Sequence, residues 1–210
     1  FFSFSRAAWL GVAVGILVMI FFMVLRKEIA GLKRMAEIIL PGVAVIFILS
    51  IFYNNLVFTR LASTGRLEAK SNIERIESYK FARDIIKKNW LFGTGIGNYT
   101  LALKNEVNLK RQGYYYQPVH NVFLLVWAET GILGLVGFIG LLLCVIRYAL
   151  CKKKDDIKAL NIIQGFPVIA VFTAIMLVDH WLWSLHFGVF LFWFINGIIL
   201  KEDCFIKNGE

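Results

Sequence analysis

Apolar and polar residues alternate along this chain in long blocks, and the blocks predict helices. Five apolar runs, roughly Ala7 to Leu25, Met35 to Phe58, Val119 to Tyr148, Leu160 to Val178 and Leu185 to Leu200, are separated by short charged stretches and one long polar segment. The runs span 16 to 30 residues, around the 20 or so that a membrane-crossing helix needs, whereas a membrane barrel would show strands of about ten alternating residues. The predicted architecture is therefore all-α, a polytopic transmembrane helical bundle of about five spans. It divides into residues 1–58 (two spans), an outer loop over 59–118, residues 119–200 (three spans) and a cytoplasmic tail over 201–210.

Charge sets the orientation. Arg26, Lys27, Lys33 and Arg34 cluster in what reads as a short loop after the first run, Lys152 to Lys154 follow the third, and Lys201 follows the fifth. Short basic loops stay in the cytoplasm, so Ser5-Arg6, the segment 59–118 and the turn Asp179 to Ser184 (DHWLWS) face outward. Trp9, Trp127, Trp181 and Trp183 lie toward the outer ends of the runs, as interfacial aromatics do. The chain opens on Phe1, with neither initiator Met nor signal peptide, so a C-terminal part of a longer protein is expected. Cys144, Cys151 and Cys204 show no metal spacing and fall on the cytoplasmic side, where reduced thiols are expected.

Composition sharpens the class without changing it. The 210 residues are 59% hydrophobic and carry a formal charge of +9, which in a membrane protein points to anionic lipid or substrate before nucleic acid. The outer segment holds eleven Lys/Arg against five Asp/Glu. Such a segment suits a headgroup-facing loop, or a phosphate-bearing substrate held by arginines. Within it, Ser71 and Glu74 form a capping-box signal, after which Ile73, Ile76, Phe81, Ile85 and Ile86 give a partly amphipathic helix to about Asn89 that could lie along the outer leaflet. GTGIGN (Gly93 to Asn98) ends it in a tight turn. That turn follows a helix and lacks a Lys-Ser/Thr, which excludes dinucleotide and P-loop readings.

Candidate chemistry gathers at Val119 to Gly140. His120 and Asn121 open the third run, and Gly131, Gly134, Gly137 and Gly140 follow at spacing three. On one continuous helix Gly131 would lie about 20° from His120, placing small residues beneath the imidazole where another helix could pack closely. His120 is the candidate catalytic base, with an interfacial polar residue as the plain alternative. Arg6, at the outer mouth of the first span, reads as a snorkelling cation or as an anion clamp. Glu129, half a turn round from His120, reads as a brace to another helix. Asp179 and His180 share the outer edge with His120 and could orient it or a bound sugar. No pair of outer acids has metal-ligand spacing, so neither a metal nor a cofactor is expected.

The ordered set Ser5-Arg6, Arg75-x-x-x-Tyr79-x-x-Ala82, Leu91-Phe92-Gly93-x-Gly95-x-Gly97-Asn98 and His120-Asn121 followed by Gly131-x-x-Gly134 resembles the O-antigen ligase and O-antigen polymerase superfamily. DHWLWSLHFG and the following FLFWF resemble its closing helices. The resemblance implies a C-type glycosyltransferase fold in the bacterial inner membrane, with its site facing outside. It implies metal-independent transfer of a glycan from a polyprenyl diphosphate carrier to an acceptor hydroxyl, on a lipid, a saccharide or a protein. It maps the family's histidine onto His120 and its diphosphate-binding arginines onto Arg6 and Arg75, with Arg66 and Arg83 close enough to exchange with Arg75. Asn121, Asp179, Gly131 and Gly134 would support them. A transporter or flippase of lipid-linked glycans, or a non-catalytic scaffold, would want many of the same features.

Overall fold

The computed structural model of the chain describes residues 6–55, 66–106, 116–150 and 160–201, and among them finds eight α-helices and no strand. These are α1 (Arg6–Leu25), α2 (Ile29–Phe52), α3 (Arg66–Lys88), α4 (Tyr99–Glu106), α5 (Val122–Leu150), α6 (Leu160–Val178), α7 (Trp181–Ser184) and α8 (His186–Lys201). α1, α2 and α5 are long and apolar enough to cross a membrane. The described apolar parts of α6 and α8, Gly165–Val178 and His186–Leu200, are shorter.

The turn between α1 and α2 is tighter than charge alone suggested. Lys27 N donates to Val24 O (3.0 Å) and Glu28 N to Met23 O (2.9 Å), the paired bonds of a Schellman motif. The motif puts its C′ residue in the left-handed region, where Lys27 sits at φ 57 in place of the usual glycine. α2 then starts at Ile29, so Lys33 and Arg34 lie within its first two turns and not in a loop. No residue of α2 is buried.

α1 packs along α6. A Cβ added at Gly11 would come within 3.1 Å of Ile175, and one at Gly15 within 2.6 Å of Val171 Cγ2. Two glycines four residues apart thus bring the two helices together, the small-xxx-small seam of membrane helices. The sequence placed that seam on α5, and this is corrected. Among the described residues nothing lies within 4 Å of a Cβ built at Gly137 or Gly140, and one at Gly134 would meet only Thr130 of its own preceding turn.

The main core joins α5, α6, α7 and α8 through Val122, Val126, Phe138, Leu142, Phe172, Met176, Leu182 and Phe192. A second core docks α3 and α4 onto the outer end of α5 through Ala82, Ile85, Ile86, Tyr99, Leu103, Leu125 and Ala128. Lys88 Nζ bonds both carboxylate oxygens of Glu106 (2.7 and 2.6 Å), joining the ends of α3 and α4. α3 begins at Arg66 and runs through Ser71, so the Ser71–Glu74 signal is no N-cap. The preceding Leu67-Glu68-Ala69-Lys70 are strong helix formers, and their propensity outweighs the capping signal. Ile73 and Ile76, in the first half of α3, remain exposed, while Ala82, Ile85 and Ile86 in its second half are buried.

Candidate functional site

His120 sits in a bend just before α5, not on that helix. Asn121 makes the transition. Its Oδ1 accepts from Leu124 N (3.0 Å), capping the first turn, and its Nδ2 donates to Leu177 O (3.0 Å), tying the start of α5 to the end of α6. Tyr79 of α3 donates its hydroxyl to His120 O at 3.2 Å. Backbone contacts from two other helices therefore fix where the imidazole emerges.

The connection from α6 to α7 faces that imidazole. Asp179 Oδ1 lies 3.6 Å from His120 Nδ1 and accepts the backbone N–H of His180 (2.8 Å). The rings of His120 and His180 are 5.1 Å apart. Ser184 Oγ lies 2.6 Å from His180 Nδ1 and donates to His180 O (3.1 Å). All three charged or titratable side chains are half-buried. Burial alone would raise the Asp179 carboxyl, but the neighbouring His120, the His180 N–H and the charge of both imidazoles outweigh it and hold the group below its ordinary value. Burial, then the adjacent His120, lowers His180, and Asp179 only partly opposes this. Asp179 is thus a carboxylate, and His180 is biased toward the neutral imidazole.

The notional helical face carrying His120 above the glycines does not exist. α5 is broken at Gly131 (φ 72, ψ −175), and the His120 bend lies outside it. At the break Trp90 and the GTGIGN turn supply what the helix lacks. Thr94 N donates to Ala128 O (2.9 Å), Gly95 N to Glu129 O (2.8 Å), and Ile132 N to Trp90 O (2.9 Å), which also accepts Trp127 Nε1 (3.1 Å). A broken helix at membrane depth needs such replacement partners for its freed backbone groups. The approach is close enough that a Cβ at Gly131 would overlap Leu91 O, and one at Gly93 the backbone of Glu129. Both glycines have positive φ, so both space and conformation require them. Gly131 therefore seats the turn against α5, and among the described residues a Cβ at Gly134 meets no other helix.

Glu129, 5% exposed, accepts Trp183 Nε1 at 2.9 Å and so braces α7 against α5, the bracing role expected of it, although His120 is not on the same helix. Tyr99 is buried nearby. Its burial, then the Glu129 carboxylate, raises its hydroxyl well above the ordinary value.

α3 and the outer end of α5 border an open cavity of about 450 Å³ lined by Tyr79, Arg83, Ile86, Lys87, Trp90, Leu124 and Trp127, and Tyr79 links it to the His120 backbone. Its wall is largely apolar and carries two cations. Arg75, Tyr79 and Arg83 follow at i, i+4 and i+8, one stripe of α3, and Tyr79 reaches the His120 backbone. Of the sequence-predicted residues, the structure brings together His120, Asn121 and Asp179, puts Arg83 on the adjoining cavity, and places Arg75 on the α3 stripe that leads to it. The side chains of Arg6 and Arg66, which open α1 and α3, lie outside the described residues. Trp90 and Trp127 were not read as cavity-forming, because their apposition depends on the break at Gly131. Ser184 gave no signal beyond its place in DHWLWS.

A family model described as O-antigen ligase matches residues 1–139. The match takes in His120, Gly131 and Gly134 and ends before Asp179 and His180, whose place at the site rests on geometry. No curated protein and no solved structure matches the chain.

Proposed function

The chain belongs to the O-antigen ligase family, and we propose that it is a membrane glycosyltransferase moving a glycan from a polyprenyl diphosphate carrier to an acceptor hydroxyl. The observation that carries this reading is the placement of His120 against Asp179 beside a largely apolar, cation-lined cavity.

His120 Nδ1 faces the Asp179 carboxylate, which favours the tautomer with a proton on Nδ1 and the lone pair on Nε2. Nε2 then takes the acceptor hydroxyl's proton as the oxygen attacks the anomeric carbon, and Asp179 stabilises the imidazolium that forms. The bond from the anomeric carbon to the diphosphate oxygen breaks, and the polyprenyl diphosphate leaves with its electron pair. Arg83 and Lys87, with Arg75 along the same helix and Arg6 and Arg66 as further candidates, suit the charge that develops on the leaving group. Trp90, Trp127 and Leu124 suit the apolar part of the carrier next to it. The family's reaction, so read, needs no metal or cofactor. The outward face of a bacterial inner membrane, with a lipid or saccharide acceptor, fits the short basic loops. Ligase and polymerase differ only in the acceptor.

The test is transfer of glycan from a polyprenyl diphosphate donor by the full-length protein. Replacing His120 with Ala, or Arg6 with Ala, should lower the rate by about 100-fold or more, with membrane insertion unchanged. Full activity of both variants rejects the assignment. Donor flipping by the purified protein with no product formed would favour a transporter.

A further inference from the structure

His120, Asp179 and His180 come together although the first is 59 residues from the second along the chain. Each offers one ligand atom, and the three atoms lie within 4.8 Å of one another. The spacing of the closest characterised pair is informative. At 3.6 Å, His120 Nδ1 and Asp179 Oδ1 are too far apart for a hydrogen bond. Two ligands of a tetrahedral zinc ion, with bonds of about 2.0–2.1 Å, stand about 3.3–3.4 Å apart. His120 Nδ1 is itself buried and, among the described residues, has no hydrogen-bond partner. A buried, unsatisfied imidazole nitrogen facing a carboxylate at that distance has the arrangement of a ligand pair around a shared cation.

His180 completes the set. Ser184 Oγ lies 2.6 Å from His180 Nδ1 and 3.1 Å from the His180 carbonyl; with its one proton on the carbonyl it accepts at Nδ1, and His180 then carries its proton there. The lone pair then belongs to Nε2. A histidine whose other nitrogen is held by a hydrogen bond is the usual form of a metal ligand. Asp179 Oδ1 is oriented by the His180 N–H, and its second lone pair remains for the ion. Two imidazoles and one carboxylate suit zinc or a similar transition ion and poorly suit magnesium or calcium, which prefer all-oxygen shells.

We propose that His120, Asp179 and His180 form a binding site for one zinc-class divalent ion, with Ser184 holding His180 in the ligating tautomer. The site stands on geometry alone. Its consequence rests on the proposed function: an ion on His120 Nδ1 moves the ring proton to Nε2 and removes the lone pair that would accept the acceptor's proton. Zinc is then an inhibitor of transfer, not a cofactor.

The experiment is a zinc titration of the purified full-length protein in detergent, by calorimetry, with bound metal counted by elemental analysis. One zinc per chain is expected, unaffected by excess magnesium. Asp179→Asn and His180→Ala should each weaken binding at least tenfold, Ser184→Ala less, and the exposed-helix control His186→Ala not at all. Cobalt(II) on the unaltered protein should give the visible absorption of a tetrahedral site, a readout that needs no variant to fold. Zinc binding that is absent, or that is equal in the wild type and in folded Asp179→Asn and His180→Ala variants, overturns the site. Stoichiometric zinc with transfer unchanged at saturation overturns His120 as the base and leaves the site standing.

Discussion

α1 and α5 both carry regularly spaced glycines, and the structure uses them in opposite ways. Gly11 and Gly15 of α1 face Val171 and Ile175 of α6 so closely that a methyl group would force those side chains to shift. Gly137 and Gly140 of α5 face no neighbour among the described residues, and Gly131 is not helical at all. Glycine spacing therefore predicts the possibility of close approach, and the neighbour decides whether it is used. In α1 the neighbour is the side-chain surface of another helix. At Gly131 it is the backbone of a loop, held by hydrogen bonds that a side chain would block.

The largest test of this contrast is Gly131→Val. A β-branched residue at φ 72 is strained and would also collide with Leu91 O, so a loss of about 3 kcal/mol or more is expected. Thermal unfolding in detergent measures it, and a near-neutral result would mean that the break is not a feature of the folded protein. Gly15→Leu should overpack the α1–α6 seam and cost about 1–3 kcal/mol. The same assay read beside a cysteine crosslink between α1 and α6 would show whether the helices separate, and an unchanged crosslink with unchanged stability would dissolve the seam. Asn121→Ala removes the cap of α5 and its tie to Leu177 O, at about 1 kcal/mol, and should lower transfer more than that stability loss explains, because His120 is the preceding residue. Smallest is Gly137→Ala. On a helix face with no described neighbour it should be neutral or stabilising, by up to about 1 kcal/mol. A clear destabilisation there would place an undescribed neighbour on the α5 ridge.

Much of the fold could be read from the sequence. The runs at Ala7 to Leu25 and Leu160 to Val178 coincide with α1 and α6 to within a residue, because a long apolar stretch has few ways to satisfy its backbone except as helix. Local signals fared less well. Ser71 and Glu74 have the side chains of a cap, but the chain before them favours helix, and α3 starts five residues earlier. Lys33 and Arg34 read as a loop because they are charged, yet long basic side chains are compatible with a helix end near a membrane surface. The α5 break had a visible marker in Gly131, but four glycines at equal spacing gave no means of telling the broken position from the others.

At the candidate site the division is the same. The residues whose chemistry is unusual for their surroundings, His120, Asn121 and Asp179 at the ends of apolar runs and Glu129 inside one, stood out from sequence alone, because polar groups near a membrane are costly without a purpose. Their partners did not. Donation from Thr94 and Gly95 to carbonyls of α5 uses backbone atoms common to every residue, so no side-chain pattern announces it. The approach of Asp179 and His180 to His120 requires α6 to return beside the start of α5, which Asn121 secures through one hydrogen bond to Leu177 O. Hydrophobicity and charge thus determined which segments are helical and which residues are chemically exceptional, since both follow from transfer of side chains between water and hydrocarbon. Distances between those residues were decided only by tertiary packing, since they depend on where the break at Gly131 and the seam at Gly11 and Gly15 allow the helices to meet.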